Sequence, residues 1–192
     1  MFTIPFTQDM IDRAVYRAET VPLNPIRTEV KESGSGLSNV IVAGFLAEEA
    51  IADYLGADAT SESEGEDKYH YDLVLQDGTR TEVKTKRRTV SPKYHYDVSV
   101  YEKSTFQRPD LYMFVSMQYE KSYRVGEVIQ YDNLLDIWLL GQKTPKDFFE
   151  KAVFWDRGDY DETNRLLLNS KTYNLLIKDL DDIGGNEWQT WI

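Results

Sequence analysis

Residues 71–88 read Tyr71-Asp72-Leu73-Val74-Leu75-Gln76-Asp77-Gly78-Thr79-Arg80-Thr81-Glu82-Val83-Lys84-Thr85-Lys86-Arg87-Arg88. Tyr69–Leu75 alternates in polarity, Asp77-Gly78 is a two-residue hairpin signal, and Arg80–Lys86 alternates again, which predicts a strand, a turn and a returning strand. Side chains on a strand alternate between faces. Tyr71, Leu73 and Leu75 therefore share one face of the first strand, and Asp72 lies on the other. On the returning strand Glu82, Lys84 and Lys86 share a face, while Val83 and Thr85 point opposite. Asp72, Glu82 and Lys84 would converge where the strands meet, although the turn alone does not fix the register. Two carboxylates at short range repel each other. A divalent cation between them removes that cost, and an all-oxygen donor set suits Mg²⁺ or Mn²⁺. The structural alternative is an amphipathic hairpin with a charged solvent face. For Glu-x-Lys alone that alternative is much the commoner.

The flanking segments extend the pattern to a mixed α/β domain. Upstream, a helix is expected from about Ser38 to Leu55, stopping at Gly56. Ile41, Phe45, Ala52 and Leu55 form its apolar stripe, with Glu48 near the centre and Glu49 at the border. An ionised carboxylate there costs on the order of several kcal/mol unless a cation or a buried Lys or Arg meets it. Further upstream, Thr7 caps a helix carrying Met10, Ala14, Val15 and Ala18, and Pro22, Pro25 and Ser33–Gly36 make a long connection. Downstream, Tyr94–Tyr101, Leu111–Met117 and Ser122–Ile129 read as strands, with Leu111–Met117 central. Asn133–Leu140 and Pro145–Ala152 read as helices, a Gly turn falls near Gly158, and a short strand lies near Tyr173–Leu176. The predicted organisation is an N-terminal helix and connection over 1–36, a core over 37–155, and a C-terminal extension over 156–192.

The chain has 192 residues, no cysteine and two histidines, with 22 Lys+Arg against 33 Asp+Glu for a formal charge of −11. The absence of cysteine excludes a disulfide framework, a thiolate zinc site and a cysteine nucleophile. Two histidines argue against a multi-histidine metal site. No apolar run reaches the roughly 18 residues of a membrane span, and Met1–Phe6 lacks the pattern of a secretory signal, so a cytoplasmic protein is expected. Residues 80–93 hold Arg80, Lys84, Lys86, Arg87, Arg88 and Lys93 against Glu82 alone, a local +5 that leaves −16 elsewhere. Residues 58–67 carry five acids and no base. Affinity for nucleic acid comes from basic groups releasing counterions, so the body of this chain repels phosphate. A single basic island could admit it at one place, or could simply be a solvated edge strand.

Gly44-Phe45-Leu46-Ala47-Glu48, then Tyr71-Asp72-Leu73-Val74, then Glu82-Val83-Lys84-Thr85-Lys86 resembles the PD-(D/E)xK nuclease superfamily over about residues 38–117. The wider spacing also resembles small nuclease-like proteins of bacteriophage genomes, including Asp147–Ala152 and Tyr173-Asn174-Leu175. Tyr71 replaces the proline before the first acid, and no Gln-x-x-x-Tyr element of the RecB-like branch is evident. The resemblance implies a restriction-endonuclease-like core, a central mixed sheet of four to five strands flanked by helices. It implies a Mg²⁺-dependent deoxyribonuclease, endonuclease rather than exonuclease, acting in the cytoplasm of the host if phage-encoded. Asp72, Glu82 and the Val83 carbonyl would hold Mg²⁺ or Mn²⁺, Glu48 a second ion or its water, and Lys84 would orient the attacking water. Lys86, Arg87, Arg88 and Lys93 would contact DNA phosphates, with Gln107 an auxiliary polar contact. A homodimer would present one site to each strand.

Other features have plainer readings. His70 and His95 sit between tyrosines on strands and are not needed by a metal–water mechanism. Tyr94, Tyr96 and Tyr101 could stack on unpaired bases, but tyrosine is also a good strand former. Trp188 and Trp191 fit a core or an oligomer contact. Asp179, Asp181 and Asp182 lack the glycine and final glutamate of a calcium loop, and Gly34-Ser35-Gly36 lacks the Lys-Ser/Thr of a phosphate loop. Two further classes fit the chain: a nuclease fold that binds without cutting, and an acidic mimic of DNA that occupies a partner's nucleic-acid site.

Overall fold

A computed structural model describes residues 1–20, 39–57, 71–121, 133–162 and 166–183. The Pro/Gly connection, the acidic stretch 58–67, Tyr69 and His70, the expected strand Ser122–Ile129, and Trp188 and Trp191 lie outside them. In chain order the strands are β1 (Phe2–Ile4), β2 (Leu73–Val74), β3 (Arg80–Arg88), β4 (Asp97–Tyr101), β5 (Leu111–Tyr119), β6 (Leu134–Lys143), β7 (Val153–Trp155), β8 (Tyr160–Asp161), β9 (Leu166–Leu167) and β10 (Thr172–Leu176). The α-helices are α1 (Gln8–Thr20), α2 (Asn39–Leu55) and α3 (Pro145–Lys151).

β5 is apolar along nearly its whole length and forms the centre of a five-stranded mixed sheet of order β1-β6-β5-β3-β2. It runs parallel to β3, with Tyr112 beside Glu82 and Phe114 beside Lys84, and antiparallel to β6. The parallel step needs a crossover, and residues 89–110, which include β4, supply it. The alternation of β5 feeds two cores. Met113, Val115, Met117 and Tyr119 join Leu73, Val83, Ile137 and Leu139 beneath α1 and α2. Tyr112 and Phe114 face Val98, Val100, Phe148 and Leu175 on the other side. That second side is covered by α3 and by a three-stranded sheet of order β4-β10-β7. The C-terminal segment thus supplies the middle strand of a sheet.

Several expectations hold, and their local causes are visible. The Thr7 hydroxyl accepts the Met10 N–H at 3.2 Å and caps α1. α2 ends before Gly56, as read. Thr144 caps α3 by accepting the Asp147 N–H, with Pro145 at the first helical position. The expected helix Asn133–Leu140 is a correction: from Leu134 onward it is strand β6. A short run such as Leu134–Leu140, apolar on both faces, suits either structure, and pairing with β5 and β1 decides it. The Tyr94–Tyr101 strand is shorter, Asp97–Tyr101, and belongs to the second sheet. β6 carries a bulge where Phe114 pairs with Gly141 but Val115 with Leu139. Gly141 has φ +152°, and a Cβ there would sit 2.8 Å from the Asp181 carbonyl oxygen and from Leu180 Cβ, so only glycine fits without a shift. No helix among the described residues is long and apolar enough to cross a membrane.

Candidate functional site

The hairpin that joins β2 to β3 sets the register on which the site depends. Leu73 pairs with Thr81 and Val74 with Arg80. The Leu75 N–H donates to Thr79 O at 3.0 Å, so the connection is the three residues Gln76, Asp77 and Gly78 rather than two. Gly78 closes the turn on the Leu75 carbonyl with φ +85°. Beyond β2 the Asp72 N–H donates to Thr81 O at 2.9 Å. The Asp72 Oδ2 accepts the Val83 N–H at 2.8 Å. Asp72 therefore lies against the edge of β3 at the residue between Glu82 and Lys84. The N–H and C=O of one strand residue leave on the same edge, so the Val83 carbonyl faces that edge too.

Glu82 and Lys84 are drawn together on the face that looks toward the second sheet. Lys84 Nζ donates to Glu82 Oε1 at 2.8 Å and to Gln107 Oε1 at 2.9 Å. Gln107 Nε2 donates to the same Glu82 oxygen at 2.8 Å. Glu82 and Gln107 are buried, and Lys84 is nearly so. Tyr112, fully buried, underlies the group with its ring centroid 5.8 Å from Lys84 Nζ. Its phenol is pushed above its ordinary pKa, first by burial and then by the charge of Glu82.

Glu48 meets a partner on α1. It is buried on α2, and its Oε2 accepts from Arg17 Nη2 at 2.9 Å. Glu49 beside it accepts from Arg17 Nη1 and Arg13 Nε, each at 2.9 Å. Arg17 also lies over the Phe45 ring at 4.4 Å. The bond to Glu49, more than burial opposes it, raises the Arg13 pKa. The carboxylate in the apolar stripe is thus met by a guanidinium from α1, the alternative that the sequence left open. Among the described residues no three Asp, Glu or His side chains form a metal-sized group, Glu48, Asp72 and Glu82 included.

The basic run is divided by its alternation. Lys86 Nζ donates to Asp97 Oδ1 at 2.7 Å, and Arg88 Nη2 to the Asp97 carbonyl at 2.6 Å. Asn174 Nδ2 holds the other carboxylate oxygen of Asp97 at 2.6 Å. Burial, opposed by Asp97, lowers the pKa of both Lys86 and Arg88. These two tie β3 to the second sheet. Lys93 is exposed. Thr85 to Val90, Arg87 included, line an open cleft of about 560 Å³, with Val40 and Ala43 of α2 on one side and Tyr101 on the other.

The chain matches no protein-family model and no curated protein. The Asp72 carboxylate is hydrogen-bonded to the Val83 N–H, and Glu82 is the residue before Val83, so the donors nearest this edge are oxygens, the type a hard divalent cation takes. Sequence reading missed Arg17 and Arg13, Asp97 and Asn174, and the part played by Gln107. Arg13 and Arg17 stand one helical turn apart on α1, a spacing that marks a shared face but names no partner.

Proposed function

We propose that the chain is a metal-dependent deoxyribonuclease built on a restriction-endonuclease-like core. The observation that carries the reading is the juxtaposition on β3: Asp72 held to the Val83 N–H, and Glu82 joined to Lys84 and Gln107. A helix bearing Glu48, an Asp at the end of one short strand and Glu-x-Lys on its antiparallel neighbour follow the order that the resemblance implies. Asp72, Glu82 and the Val83 carbonyl would hold Mg²⁺ or Mn²⁺. When bound, such an ion supplies positive charge against a phosphate and makes a neighbouring water more acidic. Lys84 offers a positioned ammonium for orienting that water, and the cleft beyond Thr85 offers Arg87 to a neighbouring phosphate. Charge placed in advance stabilises an in-line displacement without rearrangement during the reaction.

The engagement of Glu48 by Arg17 favours a second reading, a nuclease fold that binds nucleic acid without cutting it. Incubation of duplex, branched and single-stranded DNA with Mg²⁺ or Mn²⁺, with chelator as control, separates the two. The nuclease reading expects cleavage that chelator abolishes. It also expects Asp72→Asn, Glu82→Gln and Lys84→Ala each to slow cleavage at least about tenfold, or about 1.4 kcal/mol of barrier. Three variants that cut as fast as the parent would refute it, and DNA binding without metal-dependent cleavage would favour the second reading.

A further inference from the structure

We infer that Gln107 is a positioning residue that fixes the Lys84 amine, not a contact for nucleic acid; the inference rests on the nuclease reading above. Both ends of its amide are used. An ammonium can only donate and a carboxylate can only accept. With Oε1 on Lys84 and Nε2 on Glu82, the amide matches both partners, and a flip would set like against like at both ends. Together with the direct Lys84–Glu82 bond this makes a closed ring of three contacts. A lysine on a four-carbon stem otherwise samples many rotamers, and the ring leaves its amine one place.

The backbone around Gln107 is held on both sides, which is what a positioning group needs. On one side the Gln107 N–H donates to Ser104 O at 3.1 Å, at the end of a 3₁₀ turn over Glu102–Ser104. That turn is tied in turn to the second sheet strands through the Glu102 N–H on Lys171 O at 3.1 Å. On the other side the Asp110 N–H donates to Arg80 O at 2.8 Å, and the Arg80 guanidinium holds the Asp110 carboxylate with two bonds of 2.9 Å. The side chain is 9% exposed, so its amide is turned inward, away from any strand laid on the surface.

The test is a cycle of Gln107→Ala, Lys84→Ala and the double variant, read as DNA cleavage rate at saturating Mg²⁺ and as DNA affinity in Ca²⁺. Gln107→Met, which keeps the volume, guards against a packing effect. The expected result is a rate loss of about tenfold for either Gln107 variant, unchanged DNA affinity, and less than about twofold further loss when Lys84 is already alanine. A loss of DNA affinity at unchanged maximal rate, or rate losses that multiply in the double variant, would overturn the inference. If the parent cuts no DNA with Mg²⁺ or Mn²⁺, the nuclease reading fails separately. The placement of the amine is then read from the ¹⁵N resonance of the Lys84 side chain, identified by its loss in Lys84→Arg. A resonance that moves or broadens in Gln107→Ala supports the placement, and an identical one overturns it.

Discussion

Arg17→Met tests the account of Glu48 most directly. Arg17 makes two charge-assisted bonds of 2.9 Å, to Glu48 and Glu49, from a side chain 17% exposed, and Glu48 is 2% exposed. Bonds to charged groups contribute about 1.5–3 kcal/mol each, and breaking a buried ion pair from one side costs about 3–5 kcal/mol because a charge stays behind. Methionine keeps the long apolar stem over Phe45, so the loss reports the guanidinium rather than packing. The expected outcome is a loss of about 3–5 kcal/mol in urea unfolding at pH 7, seen as a lower midpoint with an unchanged slope. Adding Glu48→Gln to Arg17→Met should recover at least about 1 kcal/mol, since the neutral amide is cheaper to bury. A loss below about 1 kcal/mol would refute the ion-pair assignment. So would Mg²⁺ restoring stability to Arg17→Met but not to the double variant, because Glu48 would then be serving an ion.

Two further outcomes follow from named contacts. Gly141→Ala should destabilise the fold by about 1–3 kcal/mol, since the new Cβ meets Asp181 O and Leu180 Cβ at 2.8 Å and the backbone stays in an unfavourable region; a melting temperature equal to the parent's would contradict this. The Arg80 guanidinium and N–H hold the Asp110 carboxyl at about 2, below its ordinary 3.8. A lowered acid pKa stabilises the fold above the unfolded value and loses that contribution as pH falls through the folded one. Asp110 should therefore titrate near pH 2 by NMR, and Asp110→Asn should remove a stability contribution that is full above about pH 4 and gone below about pH 2. Both groups are about half exposed, so the effect stays under about 1 kcal/mol; a titration midpoint near 4 would refute the clamp.

The hairpin was legible because its signals are local. Turn residues, alternation and the Glu-x-Lys spacing all lie within eighteen residues, whereas the register follows from a connection of three residues, not the two expected. The misplaced charge of Glu48 was legible as a misplaced charge. Its partner was not, because nothing local ties Arg17 to a helix that begins at Asn39. Alternation put Lys84 and Lys86 on one face with Glu82, but it could not tell that β4 and β10 cover that face and bring Asp97 and Asn174 to it. β6 was misread because burial on both faces erases the period that separates strand from helix. β1 escaped notice because three residues become a strand only by pairing with β6.

That last pairing has a consequence for how the chain is made. Phe2 lies beside Leu139 and Ile4 beside Ile137, separations of 137 and 133 residues, so β1 has no partner until β6 has been made. Contacts so distant along the chain slow folding, since loop closure is charged before they reward it. Newly synthesised chains should therefore acquire protease resistance only after Lys143 has cleared the exit tunnel, whatever local structure the hairpin forms earlier.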